Sequence, residues 1–332
     1  MHLELRQLTT DDLVNTMCYG LKKIGILVIM LSFFGLSCDE KKADSNAGSI
    51  FWKIEYDGRT SWLFGTIHAP NPVFGKMPEP VKTALAGSKM FFSEIEPDEK
   101  NQLKMMQSML LPETESLELK IGENRFKRLK AVTDSFTPPI SPVHLNRQKI
   151  WAASLFIAWP RKSTDTIPVD ILLYEKARIA GCKTAGIESP EEQLAPLDAF
   201  TETEQIQMLE ESIEEAEDNY KLLNSLMNKY IAQDLNAMAE DFFSKTPCYS
   251  PELKGKFINI LLIGRNRLFL KRVLPAIREN NVFIAVGAGH LIGEEGLVSL
   301  LEKEGCRVTP VKIEFDVPIQ NRLPNLFYFF HF

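Results

Sequence analysis

The 332-residue chain is short of several things, and each shortage closes off a class of function. Its five cysteines, Cys18, Cys38, Cys182, Cys248 and Cys306, form no CxxC pair, which argues against a zinc ribbon or a small disulfide framework. Basic residues are outnumbered, 38 against 44 acidic ones, for a net charge of −6, and no basic stripe is interleaved with aromatics, so no nucleic-acid partner is expected. There is no GxSxG, HExxH or Walker A sequence. GAGHLIG has Ile292 where a dinucleotide fingerprint needs its third glycine. The apolar run at residues 24–36, IGILVIMLSFFGL, is thirteen residues long, where a helix needs about 20 to cross a bilayer.

That run suits the apolar region of an export signal instead. Lys22 and Lys23 precede it, and Ser37-Cys38 at its end matches a bacterial lipoprotein cleavage site that would leave Cys38 acylated. The acidic stretch before Met17 is unlike a signal, so Met17 reads as the true start. Residues 1–38 are thus read as signal and 39–49 as a polar tether. The expected location is the cell envelope, with the chain lipid-anchored outside the cytoplasm. Residues 50–316 form the folded domain, and 317–332 an aromatic tail. Three cysteines remain in the mature chain, enough for one disulfide without a choice of pair.

Two short strands around Asp57-Gly58 open the domain, followed by a helix begun by proline and ended near Gly87, then the strand MFFSEIEPD with its carboxylates. This is a β-α-β unit with parallel strands, and ligands gather at the carboxyl ends of such strands. A second unit, NVFIAVGAGH to RVTPVKI, closes the domain. Between them the chain reads as helical: SPVHLNRQKIWAASLFIAW as one helix, residues 201–243 as one long period, and KFINILLIGRNRLFLKRVLPAIRE as another. Ser189 with Glu192 is a capping box. The expected fold is mixed α+β: two β-α-β units forming a central sheet, with a large helical insertion between them.

Each unit contains a strand that ends in glycine, two further residues and a histidine: GTIH ending at His68 and GAGH ending at His290. Glycine at a strand end permits a sharp turn or a close approach. With Glu94 at the next strand end, two imidazoles and a carboxylate are the donor types that hold Zn, Mn, Fe or Co with positions open. His144 and His331 are read as structural.

Residues 62–98, WLFGTIHAPNPVFGKMPEPVKTALAGSKMFFSEIEPD, resemble the opening of the TraB/GumN family, which is related to the Tiki proteins and distantly to erythromycin esterases and ChaN. VDILLYEKARIAGCKTAGIESPEEQL is similar to the family's central segment, with Gly186, Glu188, Glu192 and Gln193. The stretch from LLIGRN to Val311 is similar to its C-terminal block, including Arg265-Asn266 and the second GxxH. The resemblance implies a site cored by His68, His290 and Glu94, with Arg265 and Asn266 in support. It also implies metal-dependent peptidase chemistry of the Tiki kind. Gly264 departs from the family pattern, standing where many members carry an acidic residue.

The expected mechanism is metal-assisted hydrolysis of a peptide or similar acyl bond, using Mn, Co or Zn. His68 and His290 hold the cation, and Glu94 is a ligand or the general base, with Glu96 or Glu188 next in line as base. Arg265 faces the developing oxyanion, and Asn266 donates beside it or orients a ligand. Structural alternatives stand beside these roles. Arg265 could pair with Glu188 or Asp170, Asn266 could be a surface residue, and Glu188, Glu192 and Gln193 read chiefly as capping and surface. The rival from another class is a non-catalytic envelope protein that binds or sequesters a peptide or small ligand.

Overall fold

The computed structural model describes residues 48–67, 77–137, 139–157, 168–245 and 250–315. The signal, most of the tether, His68, His331, Cys248 and the aromatic tail lie outside them. Six strands form one mixed sheet: β1 (Phe51–Tyr56), β2 (Arg59–Thr66), β3 (Met90–Ser93), β4 (Lys183–Gly186), β5 (Val282–Gly287) and β6 (Arg307–Pro310). Their order is β4-β3-β5-β2-β1-β6. The hairpin β1-β2 closes where the sequence places it, on Asp57 and Gly58, both at positive φ as a two-residue turn demands.

The two β-α-β units are interleaved rather than side by side. β5 lies between β2 and β3 and runs parallel to both, while β6 pairs with β1 at the far edge. The cause is visible in VFIAVG, buried at all six positions. Such a strand needs neighbours on both sides and cover on both faces, so it takes the middle of the sheet. Phe51, Phe64, Phe283 and Phe91 line up in a row across β1, β2, β5 and β3, with centroids 5.7–6.3 Å apart.

Local signals place several helices well. α1 (Glu79–Ala86) begins at Pro78 and stops at Gly87. α2 (Glu99–Ser108), α3 (Leu117–Ile121) and α4 (Glu123–Asp134) come next. The single helix expected over SPVHLNRQKIWAASLFIAW is two, α5 (Pro142–Asn146) and α6 (Ile150–Ile157). Between them Gln148 bridges to Leu110, and Arg147 donates to the Leu111 and Pro112 carbonyls at 2.8 Å. Long-range partners there outcompete the helix ladder. α7 (Val169–Ile179) ends before Gly181 at φ 83, and α8 (Pro190–Asp198) starts on the Ser189/Glu192 capping box.

The long period over 201–243 resolves into α9 (Glu202–Glu214), α10 (Ala216–Ile231) and α11 (Leu235–Lys245), the last break lying at Gln233, φ 59. A final rod comprises α12 (Pro251–Ile258), a π-helical turn (Asn259–Ile263) and α13 (Gly264–Glu279). The domain closes with α14 (Leu297–Lys303). Cys182 and Cys306 are buried free thiols. No helix among the described residues is long and apolar enough to cross a membrane.

Apolar side chains gather in three clusters. The first wraps the sheet, the second joins the ends of β3 and α8 to α6 and α12, and the third fills the helical region. The first two meet along a seam between Phe92 and Ile95, between Ile187 and Leu194, and between Leu261 and Phe269.

Gly65, in the first GxxH, shows how tightly β2 is covered. A Cβ there would stand 3.1 Å from Ala288 Cα and from Leu291 Cδ2. Gly65→Ala should therefore destabilise the fold by about 1–3 kcal/mol, read as a lower midpoint in urea unfolding. An unchanged midpoint would show that the Ala288 segment yields freely.

Candidate active site

The seam is also where the polar side chains converge. β3 and β4 stay paired beyond their ends: Ile187 N donates to Ser93 O at 2.8 Å and Glu188 N to Glu94 O at 2.9 Å. That backbone register sets Glu94 beside Glu188. Gly186 permits it, since a Cβ at that position would come 2.8 Å from Glu96 N and 3.1 Å from Glu188 O. From the other side, β5 ends at Gly287, whose N–H donates to Glu94 Oε1 at 2.7 Å. The 3-10 turn Ala288–Leu291 then carries His290 across the strand ends.

Arg265, in the first turn of α13, lies between the two carboxylates. Its Nη2 donates to Glu94 Oε2 at 2.6 Å and to Glu188 Oε1, and its Nε donates to both Glu188 oxygens at 3.0 and 3.2 Å. Nη1 donates to Leu261 O at 3.3 Å, so every nitrogen of the fork is directed at a protein acceptor. Gln193 Nε2 bridges the same carboxylates, 3.1 Å from each. Arg265 is 4% exposed, Glu94 4% and Glu188 5%. With both acids ionised, the cluster holds two negative charges against one positive, in a place where an uncompensated charge is costly. Burial pushes the Glu188 carboxyl above its usual range, against the pull of Arg265. Burial opposes the charge on Arg265 as well, but Glu188 and Glu94 outweigh it and hold the guanidinium firmly protonated.

His290, fully buried, sits on the Phe269 ring at a centroid distance of 4.9 Å, and the Arg265 guanidinium lies over the same ring at 5.1 Å. Its tautomer is set by its neighbour. Asn266 Nδ2 donates to the Glu295 carbonyl at 2.7 Å, and a carbonyl can only accept, so Asn266 Oδ1 is the atom that meets His290 Nδ1 at 2.6 Å. Nδ1 therefore carries the proton. In the neutral ring the lone pair is then on Nε2, which lies 3.8 Å from Glu94 Oε1. The Glu295 carbonyl is held by a tight turn: a Cβ on Gly296 would overlap Ile292 O at 2.4 Å.

The structure thus brings Glu94, Arg265, Asn266 and His290 together. His68 lies outside the described residues, although its strand end is fixed, with Gly65 paired to Val286 and Thr66 to Gly287 on the neighbouring parallel strand. Asn266 is buried, not a surface residue. Glu188 and Gln193, read from sequence as capping and surface, are buried in the cluster. The signal for Glu188 was available in GIE, a strand end followed by an acid, the build that flagged Glu94. Only Glu192 behaves as read, with Arg272 and the Ser189 N–H holding it down to about 2. Glu96 turns away, accepting from Thr184 Oγ1 at 2.5 Å and Tyr174 at 3.4 Å. Of the two acids offered for Arg265, Glu188 is bound. Asp170 lies in the field of Tyr230, whose hydroxyl donates to Gly65 O at 2.8 Å.

Among the described residues no group of three or more His, Cys, Asp or Glu side chains is arranged to hold a metal ion. The two described donors nonetheless fit one. A ligating imidazole characteristically gives its other N–H to an oxygen, as His290 gives Nδ1–H to Asn266, and a carboxylate pair with both acids ionised suits a cation.

The profile of the TraB/PrgY/gumN family matches residues 50–310. Metalloprotease TIKI2 of Danio rerio is 24% identical, the match covering 82% of this chain and 62% of that protein. The Metalloprotease TIKI homolog of Nematostella vectensis is 24% identical over 85% of this chain and 71% of its own length. For Metalloprotease TIKI1 of Homo sapiens the figures are 24%, 82% and 64%. The chain therefore spans about two thirds or less of the length of most of these relatives. No solved structure matches the chain.

The raised Glu188 carboxyl makes a signed prediction. An acid whose folded-state pKa exceeds its unfolded value contributes stability that is complete below about 4.5 and is lost as pH rises through the folded-state value. In denaturant titrations at stepped pH, Glu188→Gln should lack this fall, so its stability relative to wild type should improve steadily as pH increases. A relative stability that declines with pH would mean Glu188 is held ionised.

Proposed function

This chain belongs to the TraB/PrgY/gumN family, and from that premise we propose that it is a metal-dependent hydrolase acting on a peptide or similar acyl bond. We further propose that it is exported and held at the cell envelope through a lipidated Cys38. The observation that carries the enzymatic reading is the His290 ring pinned through Nδ1 by Asn266, with its Nε2 edge turned towards Glu94 in a buried cluster of paired carboxylates. The Metalloprotease names of the relatives support the same reading.

In this reading His290 Nε2, Glu94 and His68 hold a divalent ion, Mn, Co or Zn. When bound, such an ion supplies Lewis acidity to a water or a scissile carbonyl. Glu94 is assigned to the ion rather than to the base, its carboxylate being held in place by Gly287 N–H on Oε1 and by Arg265 and Gln193 on Oε2. Arg265 acts through the carboxylates it grips, each of its three nitrogens donating to a protein acceptor. Asn266 holds the Nδ1 side of the imidazole, which turns the Nε2 edge towards Glu94. Glu188, whose proton affinity burial raises, is the member of the cluster best placed to carry a proton.

The test is metal analysis of the purified protein by mass spectrometry, with cleavage of a peptide library in added Mn, Co or Zn. Wild type should bind one ion per chain and cleave, His68→Ala and His290→Ala should do neither, and Asn266→Ala should bind about 10–100-fold more weakly. No metal uptake, and cleavage indistinguishable between wild type and the histidine variants, would leave the sequestering protein as the answer. For the anchor, Cys38→Ala should abolish labelling by a radioactive fatty acid; persistent label would place the acyl chain elsewhere.

A further inference from the structure

Arg265 and Asn266 are neighbours in sequence, so on a helix their side chains point about 100° apart. Both are buried, one directed to Glu94 and Glu188 and the other to His290 and the Glu295 carbonyl. The rod that carries them is not a regular helix. At Asn259–Ile263 its hydrogen bonds widen to the π spacing, Gly264 N donating to Asn259 O five residues back. Such a turn adds one residue and rotates the downstream part of the rod by about 100° relative to an unbroken helix.

Three observations tie that turn to the site. Before it Leu253 and Phe257, and within it Leu261, pack in the second apolar cluster; after it, Phe269, Val273 and Ile277 pack in the first. The turn lies at the seam between them, immediately before Arg265. Leu261 O, inside the turn, accepts from Arg265 Nη1 at 3.3 Å, so the turn itself is part of the arginine's cradle. Gly264 closes it, and a Cβ there would press on Asn259 O at 3.3 Å, whereas a Cβ on Gly255, earlier in the same rod, would meet nothing within 4 Å.

We propose that the wide turn Asn259–Ile263 is a positioning device. It lets one rod fill two apolar cores and, where they meet, aims Arg265 at the paired carboxylates and Asn266 at the imidazole. Gly264 spares this turn a close contact with Asn259 O, which gives a physical reason for glycine at the position where the resemblance led to an acid. The inference stands whether or not the site hydrolyses anything.

Its test reads the orientation of Arg265 directly. The buried Nε–H, bonded to Glu188, should give a slowly exchanging proton–nitrogen resonance, identified by its disappearance in Arg265→Lys. Deleting Asn259, an exposed residue of the turn, should let the rod close into regular helix. The Arg265 resonance should then vanish while circular dichroism and cooperative unfolding persist. A resonance retained at its wild-type shift would overturn the proposal.

If the deletion fails to fold, a pair of alanine variants decides. Alanine is favoured over glycine inside a helix, so Gly255→Ala should raise the unfolding midpoint by about 2 °C. Gly264→Ala should raise it not at all, and should shift the Arg265 resonance. Equal gains with an unmoved resonance would show that the turn has no hold on the arginine.

Discussion

Two carboxylates sharing one guanidinium in the interior is the constraint around which the rest of this domain is arranged. Glu94 and Glu188 come from neighbouring strand ends, Arg265 from a distant helix, and all three are nearly inaccessible to water. Left to themselves, two buried acids would repel and shed their charge. The guanidinium, the Gln193 amide and the Gly287 N–H together supply the donors that let them stay side by side. What those donors do not remove is the net negative charge. A proton on Glu188 or a bound cation would each offset it, which makes the cluster responsive to both.

Glycines with a stated steric reason surround this cluster. Gly186 lets β3 and β4 run on together, Gly65 lets the His290 turn settle on β2, and Gly296 shapes the carbonyl that orients Asn266. None of them touches a charge. Each brings backbones closer than any side chain would allow, and the electrostatics depend on that closeness. The apolar seam has the same effect from outside, since Phe269 supports both the imidazole and the guanidinium.

How much could be read from sequence depends on the range of the forces involved. The Asp57-Gly58 hairpin, the ends of α1 and α7, and the Ser189/Glu192 box were legible because their causes lie within a few residues. The position of β5 between β2 and β3 was not, because strand order is decided by two-sided burial across the sheet. Arg147 and Gln148 broke a periodic helix through partners more than thirty residues away in sequence. Glu188 and Gln193 were mistaken for surface because the capping box beside them already explained the local polarity. The π turn left no trace at all. Leu253, Phe257, Leu261, Phe269, Val273 and Ile277 are all spaced by multiples of four, which reads as one continuous helix.

The most direct check on the site is the protonation of a single ring. A long-range proton–nitrogen spectrum of the purified protein distinguishes the two neutral tautomers of His290, with His290→Gln identifying the signals. The geometry predicts a proton on Nδ1 and an unprotonated Nε2, whose resonance shifts when zinc is added. A proton found on Nε2, or an Nε2 signal indifferent to metal, would contradict it.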